Sequence, residues 1–259
     1  MPSTQPAYKL LSLQLGISHK KAKMLIDRGL VGVGGKPLRL ARAKLPLDAH
    51  FSLLTPKRAG ILYQDDHLLA LNKSAHTESY ALQRQHPPYQ LLHRLDQGTS
   101  GVLLLATEPL YTQALQAFRQ RKVYKEYLAL VQGVIDKPQT LKMPLRVQKS
   151  HPHFNKGFVK TYIDPKGQEA ITHLSPLTTY KNHTLLKVVI KTGITHQIRA
   201  HLSAIKHPII GDQLYGARPH PYLLLHAHKI ALLDYTLSAP IPPYFKEFDE
   251  LLEPDLQPL

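Results

Sequence analysis

The chain contains no cysteine among its 259 residues. Disulfides, thiol catalysis and cysteine-based zinc sites are excluded, and a cytoplasmic setting is the expectation. Long hydrophobic runs are missing too: nothing approaches the ~18 apolar residues of a membrane-spanning helix, so no membrane segment is expected. The opening MPSTQPAYKLLSLQLG lacks a basic start followed by an apolar core, and secretion is not expected either. Acids are scarce, with 18 Asp and Glu against 33 Lys and Arg and a formal net charge of +15. Such a balance points to a polyanionic partner, most often a nucleic acid. The charge is segregated. Between Lys9 and Lys44 stand Lys20, Lys21, Lys23, Arg28, Lys36, Arg39 and Arg42 against Asp27 alone, whereas the terminal KEFDELLEPDLQPL is acidic. Segregation favours a binding face over a uniformly solvated surface.

What is present reads as two domains, residues 1–55 and 60–250, joined by LTPKRAG at 54–60. In the first, Leu10, Leu11, Leu13 and Leu15 predict a helix closed by Gly16, and Ser18 caps a second helix with Ala22, Leu25 and Ile26 at helical spacing. LVGVGGKPLRL follows as a hairpin. Lys20, Lys21 and Lys23 crowd the start of the second helix, where the helix dipole disfavours cations, so phosphate is their expected partner. Beyond the linker, ILYQDDHLLALNK reads as two strands about an acidic turn, and GVLLLAT, YKEYLALVQG and HTLLKVVIKTG as further strands. PLYTQALQAFRQRK and THQIRAHLSAIK read as helices. Strands and helices interleave without a regular βαβ period or a G-x-G-x-x-G fingerprint, so the fold class is α+β with a mixed sheet.

Chemistry centres on HRLDQGTSG, residues 93–101, where Asp96 has no acidic neighbour. A phosphatase built on an aspartyl nucleophile needs a second acid two residues on, but Gly98 stands there. A magnesium site needs several oxygen ligands, and glycoside hydrolysis needs two carboxylates. A single aspartate suffices when the reaction requires neither net water nor a metal. A nearby arginine keeps it ionised, and Arg94 and Arg199 are the candidates. The 16 histidines include HPH at 151–153 and HAH at 226–228; without acidic partners they read as structural or as facing the polyanionic partner, and no metal is expected.

HRLDQGTSGVLLLA closely resembles the signature loop of the RluA-type pseudouridine synthases. KEYLALVQG is similar to that family's Lys-x-Tyr-x-Ala segment, THQIRAHLSAIKHPIIGDQLYG to its Gln-Ile-Arg-x-His and Gly-Asp-x-x-Tyr-Gly block, and LLLHAHKIAL to its Leu-His-Ala segment. The islands keep the family's order over roughly residues 60 to 245. LGISHKKAKMLIDRGLVGVGGKPL resembles the αα-hairpin RNA-binding module named after ribosomal protein S-four, without its usual opening Arg-Leu-Asp.

The resemblance implies a mainly antiparallel sheet flanked by helices and loops. It implies an isomerase that detaches a uracil in structured RNA, turns it and rejoins it through carbon five. Asp96 would be the catalytic aspartate, by attack on the sugar or by a glycal route. Tyr127 would lie against the base and assist its late deprotonation, and Arg199 would pair with Asp96. His93, Arg94, Thr99, Lys125, Gln197, Lys20, Lys21, Lys23 and Arg28 would contact RNA, with Arg94 helping to wedge it open. No cofactor is implied, and a monomer acting on ribosomal or transfer RNA is expected, with ribosomal RNA favoured. A non-catalytic RNA-binding or ribosome-assembly protein on the same fold is the competing reading, and it has no need of Asp96, Tyr127 and Arg199 together. Departures from the family pattern are Ile194 for an arginine, SAHTESYALQR after Asn72-Lys73, and Lys206 for a glycine.

Overall fold

The computed structural model describes residues 3–27, 29–38, 40–54, 59–149 and 159–245. Two compact units result, one of residues 1–58 with 219–222 and one of residues 59–218 with 223–259. In the first, β1 (Thr4–Pro6), α1 (Ala7–Leu15) and α2 (His19–Asp27) precede β2 (Val31–Val33), β3 (Lys36–Pro37), β4 (Lys44–Pro46) and β5 (Phe51–Leu53). Gly16 ends α1 with φ 59°, its amide donating to the carbonyls of Leu13 and Ser12, a left-handed closure that suits glycine. The Lys21 amide donates to Ser18 Oγ at 3.2 Å, the cap that starts α2. β2 pairs antiparallel with β3 and β5, and β1 with β4. Ala7, Leu10 and Leu11 of α1 pack with Ala22 and Ile26 of α2, Val31 and Phe51. That packing turns Lys20 and Lys21 outward, while Lys23 is half-buried with its ammonium 4.1 Å from the centre of the Tyr8 ring. Arg28 lies outside the described residues.

The second unit opens with β6 (Gly60–Gln64), β7 (Leu68–Lys73), α3 (Ser79–Gln83), β8 (Gln90–Leu91) and β9 (Ser100–Ala106). α4 (Leu110–Arg119), β10 (Tyr124–Gln132), β11 (Gln139–Leu141), β12 (Leu145–Lys149) and β13 (Val159–Ile163) follow. β14 (Thr172–Tyr180), β15 (His183–Ile190), α5 (Gln197–Ala204), β16 (Leu225–Leu232) and β17 (Tyr235–Ser238) complete it. A ten-stranded sheet runs β11-β14-β15-β10-β16-β9-β7-β6, with β17 on β16 and β8 on β9, while β12 and β13 form a separate ribbon.

Every residue of β9 is buried because both faces of the strand are covered. Val102 and Leu104 pack with Leu68, Ala70 and the Leu110, Ala114 and Ala117 face of α4. Leu103 and Leu105 point the other way, with Leu69, Leu71, Leu82 and Leu95. Among the described strand pairs β9 and β16 alone run parallel, through Ser100 opposite His226 and Gly101 opposite Ala227. The approach there is too close for a side chain. A Cβ on Gly101, whose φ is 113°, would lie 2.1 Å from the Ala227 carbonyl oxygen. The mixed, mainly antiparallel α+β architecture is the one the sequence predicts. Lys206, after α5, has φ 66°, which explains why a glycine is usual at that point. No helix among the described residues is long and apolar enough to cross a membrane.

Candidate active site

The loop carrying Asp96 hangs between β8 and β9 and is fastened along its length. Ser79 Oγ, at the start of α3, donates to the Leu95 carbonyl and accepts from the Leu95 amide, each at 3.1 Å. The Thr99 amide closes a turn onto the Asp96 carbonyl at 3.0 Å. Lys73, fully buried at the end of β7, donates to the carbonyls of Gln97 (3.3 Å), Thr77 (2.7 Å) and Ser74 (3.2 Å). Burial, opposed by Asp96, draws its ammonium down to about 7. The sequence gives no hint of this anchor beyond the unusual segment that follows it.

Asp96 opens onto a cavity of about 550 Å³ lined by residues of the loop, β10, α5 and the turn before it. Arg199 Nη1 donates to Asp96 Oδ2 at 2.9 Å. The same guanidinium grips Asp212 with Nε and Nη2, at 2.7 and 2.8 Å, and Asp212 is almost wholly buried. Burial opposes the Arg199 charge, but the bonds and charges of Asp212 and then Asp96 outweigh it and hold the guanidinium ionised. Asp96 is thus isolated along the chain but not in space. Asp212, from GDQLYG, is a second carboxylate in the network, committed to the arginine and outside the cavity lining.

His196 precedes α5 with φ 57°. Its Nε2 lies 3.5 Å from Asp96 Oδ2, and its Nδ1 lies 3.2 Å from the Tyr215 hydroxyl. Burial lowers its pKa, with Asp96 pulling the other way, so the ring is held neutral at pH 7. The guanidinium of Arg199 also lies 5.1 Å from the Tyr215 ring centre. His196 and Tyr215 sit in stretches already matched to family motifs, yet nothing local in the sequence marks them as site residues.

Tyr127 and Lys125 share one face of β10 and both line the cavity. Burial, followed by the Asp96 charge, drives the Tyr127 hydroxyl above its ordinary range. The resting side chain is therefore a neutral phenol that offers a ring face and a donor, not a ready base. Lys125 Nζ donates to the Thr192 carbonyl at 3.0 Å, and burial pulls its pKa down to about 8.

Other expected contacts fall differently. Gln197 lines the cavity but spends its polar atoms on the protein. It is 2% exposed, its Oε1 accepts from Thr192 Oγ1 and the Ile194 amide, and its Nε2 donates to the Ile171 carbonyl and Thr172 Oγ1. The amide is saturated inside the protein and braces the turn before α5. His93 lines the cavity, but its Nε2 accepts the Leu104 amide proton at 3.1 Å. Burial, with a contribution from Lys125, lowers its pKa to about 4, so the ring is an uncharged peg under the loop. Thr99 is buried in the loop turn. Arg94 lines the cavity too. It lies exposed in the loop, its guanidinium 5.7 Å from the exposed Tyr80 ring. Ile194 adds apolar surface beside Tyr215 and Leu145 where the family pattern has a cation. The HPH histidines lie outside the described residues. His226 and His228 both approach the Ala239 carbonyl, and no metal-binding cluster of His, Asp or Glu occurs among the described residues.

Residues 52–204, more than half of the chain, match the RNA pseudouridylate synthase family. The chain belongs to that family. An uncharacterized RNA pseudouridine synthase of Helicobacter pylori is 49% identical over 249 residues, spanning 95% of this chain and 99% of the relative. The ribosomal large subunit pseudouridine synthase C of Buchnera aphidicola is 35% identical over 235 residues, 78% of this chain and 73% of that protein. Among solved structures, human RNA Pseudouridylate Synthase Domain Containing 1 superposes with a TM-score of 0.63 at 24% identity, covering 76% of this chain and 90% of its own, a likeness of fold. The RluA-type resemblance holds, and this pseudouridine synthase is an isomerase acting on RNA.

Proposed function

We propose that this pseudouridine synthase modifies uridines of large-subunit ribosomal RNA and that Asp96 is its single catalytic carboxylate. The observation that carries the reading is Asp96 Oδ2, 2.9 Å from Arg199 on the wall of a cavity of about 550 Å³ that also presents the Tyr127 ring. A uridine inside folded RNA is out of reach of such a cavity, so it must be flipped out of its stack. Arg94, exposed at the loop and beside Tyr80, is suited to hold the gap it leaves.

Within the cavity the base lies on Tyr127 and the ribose faces Asp96. Arg199 keeps the carboxylate ionised and aimed, and Asp212 keeps Arg199 from swinging away. Asp96 attacks the sugar carbon or removes a sugar proton to give a glycal; either route releases the uracil with the bonding electrons. The base then turns and rejoins through carbon five. Residues 1–55 form a separate RNA-binding module in this reading, with Lys20 and Lys21 on phosphates. The large-subunit assignment draws on that module and on the ribosomal large subunit named in relatives such as the Buchnera enzyme.

The test is direct. Large-subunit ribosomal RNA and transfer RNA transcripts are treated with wild type or Asp96→Asn, and pseudouridines are mapped by carbodiimide chemistry. Wild type is expected to modify ribosomal transcripts and the variant none. Equal maps for the two proteins would sink the assignment of Asp96, and modification confined to transfer RNA would redirect the substrate.

A further inference from the structure

We propose that Lys125 is a further catalytic residue, whose ammonium hydrogen-bonds a carbonyl oxygen of the departing uracil and stabilises the negative charge that the base carries while detached. The proposal rests on the pseudouridine synthase reading of the Asp96 cavity and assigns that cavity's second pole.

Breaking the glycosidic bond leaves its electron pair on the base nitrogen. The charge spreads onto the two carbonyl oxygens of the ring, whichever route Asp96 takes. A dry site must meet that charge with a donor aimed at where it develops. The Asp96 side of the cavity has little to offer. Three of the five guanidinium N–H groups of Arg199 are bonded to carboxylates, and its charge is shared between two of them, so it meets the base with little charge to spare. His196 is held neutral mainly by burial. Arg94 lines the cavity as well, but its side chain is exposed to water, which screens its charge.

Lys125 is placed otherwise. It stands two residues before Tyr127 on the same face of β10, so a base lying on the Tyr127 ring has the ammonium near its edge. Its Nζ donates one proton to the Thr192 carbonyl, which fixes the group and leaves two N–H donors. Among the described residues no carboxylate lies within ion-pairing distance of it. Burial that draws its pKa to about 8 leaves it mainly protonated at pH 7, in surroundings where a hydrogen bond to a developing anion is strong. No proton need leave Lys125. Carbon five attacks the sugar carbon, the base gives up the proton on carbon five and gains one on nitrogen, and the ammonium remains as it began.

The experiment compares wild type, Lys125→Met and Lys125→Arg in single-turnover reactions on a transcript that the wild type modifies, made with uridine and again with 5-fluorouridine, where carbon five has no proton to lose and the reaction is followed as disappearance of the N-glycosidic nucleoside. Lys125→Met is expected to slow the saturating rate on uridine about 10²-fold or more, the scale of losing one oxyanion donor, with little change in RNA affinity. Fluorine stabilises the uracil anion by itself, so the same variant should lose much less on the fluorinated transcript. Lys125→Arg should restore part of the rate and keep it above pH 8, where wild type declines. A weakened affinity at an unchanged saturating rate, or an equal loss on both transcripts, would overturn the proposal by making Lys125 a phosphate contact or a structural support. If Lys125→Met loses the wild-type circular dichroism spectrum, the pH profiles of wild type and Lys125→Arg decide; coincident profiles also overturn it. If wild type modifies no transcript, this proposal falls together with the reading it rests on; if only the Lys125 variants behave like wild type, it falls alone.

Discussion

Asp212→Asn is the sharpest probe of the site, because Asp212 is outside the cavity and acts only through Arg199. Its side chain is 1% exposed and accepts two guanidinium bonds, at 2.7 and 2.8 Å. Removing one partner of a buried pair costs about 3–5 kcal/mol, and asparagine retains one acceptor oxygen, so about 2–3 kcal/mol is expected. For a chain of this size that is a fall in Tm of roughly 5–10 °C. The amide nitrogen of asparagine repels the guanidinium edge it replaces, so Arg199 turns and Asp96 loses its aim. A displacement of ~1 Å in such a group costs on the order of 10²-fold in rate. Because Asp212 touches no substrate, RNA affinity should be unchanged. Thermal denaturation, filter binding and single-turnover pseudouridine formation, run well below the lowered Tm, separate these effects. A folded Asp212→Asn protein with the wild-type saturating rate would refute the claim that Asp212 positions Arg199.

Three further outcomes are expected. Gly101→Ala places a Cβ 2.1 Å from the Ala227 carbonyl oxygen at φ 113°, so the variant should fail to fold; a soluble protein with native Tm would show that the β9–β16 seam can yield. His226 is fully buried, and burial holds its pKa down at about 3. The unfolded ring binds its proton near pH 6.5, so between these values the unfolded chain holds more protons and stability falls as pH drops, by up to about 1.4 kcal/mol per pH unit. Urea denaturation of His226→Asn between pH 4.5 and 7 should show a shallower acid slope than wild type, and parallel slopes would assign the acid loss elsewhere. Finally, replacing exposed Lys20 and Lys21 with alanine should flatten the log–log salt dependence of RNA binding by about 1.5, at about 0.7–0.9 per phosphate contact, without altering Tm; an unchanged slope would leave them as solubilising charges.

The elements that the sequence reveals are those whose burial pattern is local. β10, β15, α4 and α5 carry periodic apolar faces, β9 is a short unbroken apolar run after Ser100, and Gly16 and Ser18 mark helix ends by their own chemistry. Asp96, Arg199 and Tyr127 were legible because each sits in a motif. What stayed hidden depends on contacts between distant stretches. Asp212 looks like any acid in a turn until the fold brings it to Arg199. Gln197 and His93 looked like polar residues awaiting RNA, and only the fold shows that backbone and threonine groups already satisfy Gln197 and that a strand amide occupies His93. Lys73 reads as an ordinary surface lysine and is instead wholly enclosed. A sequence displays which groups are polar, but not which of them the fold has already satisfied.

The parallel seam between β9 and β16 has a consequence for how the enzyme comes into being. Ser100 and His226 are partners across 126 residues. Closing so large a loop is entropically slow, and synthesis must proceed past residue 226 before it can begin. Until then the start of β9, at Ser100 and Gly101, lacks its β16 neighbour, while β8 already borders the strand at Leu105 and Ala106. The loop that carries Asp96 runs straight into that edge, so it gains its support on this side only once β16 has been made.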